Sequence, residues 1–130
     1  MDNRPFTIFC DIDGTLVKKV HPYQAQKPNH KMKLLPGVLD KISDWDRKGY
    51  YIILTTGRKE SMRRITEKQL EEVGIFYDQL IMGIGGGKRI LINDTKPDDL
   101  APTAFSLTVI RDRGLEGVDM ESSKTFNERI

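Results

Sequence analysis

The chain has 130 residues, 38% of them hydrophobic and 31% charged, and a formal net charge of +2. That length holds about one domain with a sizeable core, the composition is that of a globular protein and not a disordered one, and no apolar run approaches the roughly 20 residues of a membrane span. So small a net charge is no argument for nucleic acid, and one cysteine with no secretory-type apolar stretch near Met1 suits a reducing cytoplasm without internal disulfides.

Phe6 to Cys10 is expected to form a buried strand, bounded by Pro5 and the turn that follows. Asp11-Ile12-Asp13-Gly14-Thr15 comes directly after it. Strand side chains alternate in direction, so Asp11 and Asp13 point one way and Ile12 the other. Two carboxylates this close do not easily both ionise without a cation, so the pair asks for a divalent metal, a shared proton, or both. Gly14 lets the chain turn sharply, and the N–H groups of such a turn can cradle an anion. Together these features describe phosphoryl transfer. The plainer alternative is a turn that merely ends a strand or holds calcium.

Leu16 to Leu35 reads as an irregular flap with room for a short hairpin, since Pro22 and Pro28 rule out a continuous helix. No acidic residue lies between Asp13 and Asp40, whereas Lys18, Lys19, Lys27, Lys31, Lys33, His21 and His30 do. Such a stretch is either a solvated basic loop or a flap that draws an anionic substrate toward the aspartates. Pro36 and Gly37 open a helix to about Lys48, with Val38, Ile42 and Trp45 on one face, Leu39 at its margin and Gly49 at its end.

Tyr50 to Leu54 is the second strand, closed by Thr55-Thr56-Gly57-Arg58. A helix from about Ser61 to Val73 follows, with Met62, Ile65, Gln69 and Val73 near one stripe and Leu70 beside it. Phe76 to Met82 is a third strand, Gly83 to Gly87 a flexible loop, Arg89 to Asn93 a fourth strand ending at Asp94, and Phe105 to Ile110 a fifth. The polar tail over 111–130 is assigned no firm structure. Alternating strands and helices imply a mostly parallel sheet covered by helices, a Rossmann-like three-layer α/β/α sandwich in a single domain over 1–130. Ligands then sit outside the carboxyl ends of the strands, where Asp11, Asp13, Thr56 and Asp94 all fall.

In this order the motifs resemble the haloacid dehalogenase superfamily of phosphatases. Asp11 to Thr15 matches its D-x-D-G-T motif, Ile52 to Thr56 its strand ending in Thr, Lys88 its lysine, and Ile90 to Asp94 its final acidic motif. Asp98 or Asp99 would be that motif's second acid. The resemblance implies Asp11 as the nucleophile that forms an aspartyl-phosphate, and Asp13 as the acid and later the base. It implies Mg²⁺ held by Asp11, the main-chain carbonyl of Asp13, and Asp94. Thr56, helped by the Gly57 N–H, would donate to a phosphoryl oxygen, with Thr55 as the register alternative. Lys88 would neutralise the phosphoryl charge, and Gly14 and Arg58 complete the expected substrate contacts, Arg58 having the following helix as its other partner.

The flap is too short for a cap domain, so the resemblance is to a small capless member, open to a large substrate or closed by a neighbouring subunit. It implies a Mg²⁺-dependent phosphomonoesterase, acting on a sugar phosphate of surface-polysaccharide metabolism. A nucleic-acid 3′-phosphatase is the enzymatic alternative, and a phosphoacceptor signalling domain the alternative of another class. A P-loop reading of Gly83 to Lys88 fails, because Met82 stands where the first glycine is needed and Arg89 follows the lysine. Cys10 reads as a packed strand residue whose thiol the neighbouring carboxylate makes less acidic.

Overall fold

Ile52, Ile53 and Leu54 are consecutive and all buried, so the strand that holds them is covered on both faces. In this computed structural model, which describes residues 3–120, that strand is the centre of a three-stranded sheet. The elements are β1 (Thr7–Asp11), α1 (Pro22–Ala25), α2 (Val38–Arg47), β2 (Tyr51–Thr55), α3 (Arg63–Glu72) and β3 (Gln79–Ile81), with one 3-10 turn, Glu60–Met62, leading into α3. The order across the sheet is β1-β2-β3, and both pairs are parallel. Asp11 sits opposite Thr55, and Thr55 opposite Ile81. The three carboxyl ends therefore form one row, and the loops that leave them lie side by side. Parallel strands joined through helices, with no barrel closure, make the expected Rossmann-like α/β fold.

α2 buries Val38, Ile42 and Trp45, and leaves Leu39 39% exposed, as its periodicity predicts. α3 is rotated from its predicted stripe. Thr66, Gln69 and Leu70 are its buried residues, while Met62, Ile65 and Val73 are only half-buried. Two polar side chains thus occupy core positions, and the site described below explains why.

The described residues divide into two compact units: 3–86 with 109–116, and 87–108 with 117–120. All three strands belong to the first unit. The strands expected at Arg89–Asn93 and Phe105–Ile110 do not form among the described residues, and the second unit's ladder is limited to a bridge between Lys96 and Asp99. Ile90, Leu91 and Ile92 are 85%, 62% and 87% exposed. An apolar run makes a strand only when a neighbouring backbone pairs with it, and here none does. β3 is likewise shorter than the predicted Phe76–Met82, and Phe9 on β1 is 58% exposed where a fully buried strand was expected.

The expected hairpin in 16–35 reduces to one antiparallel bridge, Val17 to Leu34, that closes the flap around α1. The tail is more ordered than its composition suggests. Within the first unit, the Leu115 N–H donates to Pro36 O at 2.9 Å, and the Leu115 side chain is buried. Residues 121–130 of that expected tail lie outside the described residues. Gly114 has φ +84°, and a Cβ there would meet Pro36 O at 2.3 Å. Gly114→Ala is therefore expected to cost about 3 kcal/mol, combining backbone overpacking with a left-handed conformation. A lowered urea midpoint measures this, and an unchanged midpoint refutes it.

Candidate active site

The D-x-D turn is wound around one carbonyl. Ile12 O accepts from the N–H groups of Thr15, Leu16 and Val17 at 3.2, 2.9 and 3.2 Å, and Gly14 N–H donates to Val17 O at 2.8 Å. Those four N–H groups are already paired, so the turn does not offer them to an anion. This corrects the expected cradle. Among the described residues, the Asp13 and Gly57 N–H groups, which follow β1 and β2, take part in no hydrogen bond.

Gly14 has φ +91°, and a Cβ there would lie 3.1 Å from Arg111 Cγ. Gly14 O accepts from Asp112 N–H at 2.8 Å, and Asp112 Oδ1 accepts from Lys19 N–H at 2.9 Å. The segment around 111–112 thus braces both the motif glycine and the start of the flap. Sequence reasoning missed it, the one cue being the glycine at 114 inside a polar stretch.

Asp13 is the best-held side chain in the site. Arg58 grips it with two parallel bonds, Nη2 to Oδ1 at 2.9 Å and Nε to Oδ2 at 3.1 Å, and Thr56 Oγ1 donates to Oδ2 at 3.3 Å. Bidentate pairs of this kind fix orientation as well as adding energy. A carboxylate has about four acceptor sites, two on each oxygen. Oδ2 is filled, and Oδ1 keeps one site for an incoming proton or donor. The Asp13 and Arg58 side chains are only 18% and 6% exposed.

The guanidinium's remaining edge explains the polar core of α3. Arg58 Nη1 donates to Thr66 Oγ1 at 3.2 Å and to Gln69 Oε1 at 2.8 Å. Gln69 Nε2 in turn donates to Ala25 O in the flap at 2.9 Å. Four of the five Arg58 N–H groups are therefore engaged by Asp13 and α3, an arrangement that positions Asp13. Thr66 and Gln69 were not expected as site residues. Their signal was a glutamine inside an otherwise apolar helical stripe.

Thr56 is 1% exposed, and its hydroxyl accepts from Arg58 N–H at 3.1 Å while donating to Asp13. Thr56 thus bonds Asp13, whereas Thr55 lies opposite Asp11 in the β1–β2 register. The loop is pinned from β3's side: Thr56 N–H donates to Ile81 O, Ile84 N–H to Thr56 O, and Gly83 N–H to Arg58 O. The Gly83 and Ile84 N–H groups are thus anchors, and Cβ atoms at Gly83, Gly85, Gly86 and Gly87 would all meet open space.

Asp11 ends β1 beside Thr55. The preceding Cys10 is buried, and its thiol is pushed up to about 12, first by burial and then by the Asp11 charge. It remains a thiol at neutral pH, so it supplies neither a nucleophile nor a soft metal ligand. What the strand ends offer is oxygen: the Asp11 carboxylate and the Asp13 main-chain carbonyl. That set suits Mg²⁺, which typically binds one or two carboxylates and completes its shell with water and substrate phosphate. No three His, Cys, Asp or Glu side chains cluster among the described residues. Lys88 and Asp94 belong to the second unit, where neither adjoins a strand.

A family model of the polynucleotide kinase PNKP phosphatase domain matches residues 5–92. A solved structure described as "Structure of Pnkp1/Rnl/Hen1 complex" is 31% identical over 68% of this chain and 31% of that one, with a TM-score of 0.54. A second, "Structure of the Pnkp1/Rnl/Hen1 RNA repair complex", is 32% identical over 65% and 28%, with a TM-score of 0.53. The chain thus spans under a third of the length of the repair proteins it matches. A crystal structure from Vibrio cholerae shares the fold over 95% of this chain and 98% of its own, at 15% identity and a TM-score of 0.60. The curated proteins contain no match. Because the matched span 5–92 is well over half the sequence and carries both aspartates, Thr56, Arg58 and Lys88, the chain belongs to the PNKP phosphatase-domain family of the haloacid dehalogenase superfamily.

Proposed function

We propose that this chain removes the terminal 3′-phosphate from a polynucleotide. Of the two substrate classes expected from sequence, the family match over residues 5–92 favours the polynucleotide end over a sugar phosphate, and that observation carries the reading. The likeness to structures described as an RNA repair complex points the same way.

The chemistry follows from the strand-end geometry. An Asp11 carboxylate oxygen attacks phosphorus, and the bond from phosphorus to the 3′-oxygen breaks. Asp13 Oδ1, with its open site, delivers a proton to that departing oxygen, so that an alcohol leaves and not an alkoxide. The same oxygen then takes a proton from the water that cleaves the aspartyl-phosphate, releasing inorganic phosphate and restoring Asp11. The unpaired N–H groups of Asp13 and Gly57 are the backbone donors available to the phosphoryl oxygens. The Thr56 hydroxyl joins them by exchanging its bond to Asp13, at 3.3 Å the longest that carboxylate makes.

Mg²⁺ held by the Asp11 carboxylate and the Asp13 carbonyl would offset the repulsion between nucleophile and phosphate. Asp94 as a further ligand and Lys88 as a neutralising cation enter on the family resemblance alone.

The test is phosphate release with Mg²⁺ from 3′-phosphorylated RNA and DNA dodecamers, the matching 5′-phosphorylated strands, and a panel of sugar phosphates. The 3′-phosphorylated strands are expected to turn over with kcat/KM at least about tenfold above the rest, a preference of about 1.4 kcal/mol in transition-state binding. Preference for a sugar phosphate would overturn the reading.

A further inference from the structure

The flap carries a surface that the phosphoryl chemistry does not use. An open depression of about 580 Å³ is lined by His21, Tyr23, Lys27, Asn29, His30 and Lys31, with Gln24 at its edge. Among the described residues, no carboxylate lines it. It lies inside the 14–39 interval, which is free of acidic residues. Its lining includes an aromatic ring open to solvent: Tyr23 is 64% exposed, and Lys27 Nζ stands 5.0 Å from the ring centroid. Tyr23 is fixed there by local structure. Pro22 starts α1, and His21 Nδ1 accepts the Tyr23 N–H at 3.1 Å.

This surface is also tied to the catalytic pair. Ala25, the buried residue of α1, receives the Gln69 bond, and Gln69 receives Arg58, which clamps Asp13. The α1 main chain is thereby linked through Gln69 and Arg58 to the general acid. Lys31 has one partner, Glu72 at 3.2 Å, in a pair whose side chains are 75% and 33% exposed. Solvent-exposed pairs of this kind are weak, and a phosphodiester can replace such a carboxylate.

We propose that this flap surface holds the single-stranded polynucleotide just upstream of the 3′-phosphate, with Tyr23 stacking on a base and Lys27 and Lys31 meeting the backbone phosphates. The inference rests on the 3′-phosphatase reading. An exposed ring among cations is the recurring means of gripping unpaired nucleotides, because every base has a face to stack and every linkage a charge to neutralise. A paired end would keep its bases stacked within the duplex and out of the ring's reach.

The test compares kcat/KM for a 3′-phosphorylated dodecamer with that for a nucleoside 3′-monophosphate, in RNA and DNA forms, at 50 and 200 mM salt. The parent is expected to favour the dodecamer at low salt. In a Tyr23→Ala/Lys27→Ala variant, the dodecamer-to-mononucleotide ratio is expected to fall at least about tenfold. The loss should appear in KM, and the salt slope should become shallower by about one. A ratio and slope unchanged from the parent would overturn the flap assignment while leaving the 3′-phosphatase reading intact. If the parent hydrolyses neither substrate, that reading falls first and the assignment with it. Polyglutamate competing as strongly as a 3′-hydroxyl dodecamer would give the surface to acidic protein segments instead, and would overturn the proposal.

Discussion

Asp11→Asn is expected to lower turnover of every phosphomonoester by at least about 1,000-fold while the fold survives. The carboxamide has nearly the shape of the carboxylate, but its oxygen is neutral and forms no stable bond to phosphorus. The covalent route is lost, and what remains is the weaker effect of holding phosphate near ordered water. Stability is expected to change by no more than about 0.5 kcal/mol, because residue 11 is exposed at the end of β1. The β1–β2 pairing next to it uses main-chain groups, including Ile12 N–H to Thr55 O. Phosphate release and urea denaturation, measured on the same preparation, check both halves of this expectation. Parental activity in the variant would remove Asp11 as nucleophile, and with it the aspartyl-phosphate.

The parts of this site that could be read from sequence are those written in local pattern. Tyr50 to Leu54 is an unbroken apolar run, and the central strand buries Ile52 to Leu54 on both faces. The alternation over Asp11 to Asp13 put both carboxylates at a strand's carboxyl end, and the register with Thr55 places them beside the β2 loop. Local pattern fails where the partner is distant. Arg89 to Asn93 has a strand's composition but pairs with no backbone, and its isoleucines stay exposed. Arg58 could be narrowed to substrate contact or helix contact, yet its bidentate bond to Asp13 spans 45 positions. Gln69 sat in an apolar stripe as an anomaly, and its meaning emerged only with Arg58 on one side and Ala25 on the other. The 111–116 segment was obscured for the same reason: its contacts are with Gly14, Lys19 and Pro36, and its polarity suggested nothing to hold it.

Arg58→Lys should reveal whether that clamp serves catalysis or only packing. An ammonium can pair with one Asp13 oxygen but cannot reproduce the fork, nor satisfy Thr66 and Gln69 at once. Buried acceptors would be left short, so a stability loss of about 3 kcal/mol is expected from packing alone. The catalytic effect has a different signature. Asp13 matters most when the leaving oxygen is a poor one, as an alkyl 3′-oxygen is, and least for p-nitrophenyl phosphate, whose phenolate departs without a proton. A misplaced Asp13 should therefore lower kcat/KM, which reports formation of the aspartyl-phosphate and not its shared hydrolysis, about 100-fold for a 3′-phosphorylated strand but less than about tenfold for p-nitrophenyl phosphate. Gln69→Met is the control, since it breaks the link from Arg58 through Gln69 to the flap while leaving the Thr66 bond and both bonds to Asp13. It should lose stability with no dependence on leaving group. If Arg58→Lys slows both substrates equally, the guanidinium is a packing element and Asp13 is oriented by something else. If only the poor leaving group suffers, the buried pair exists to aim one oxygen, Oδ1, at the bond being broken.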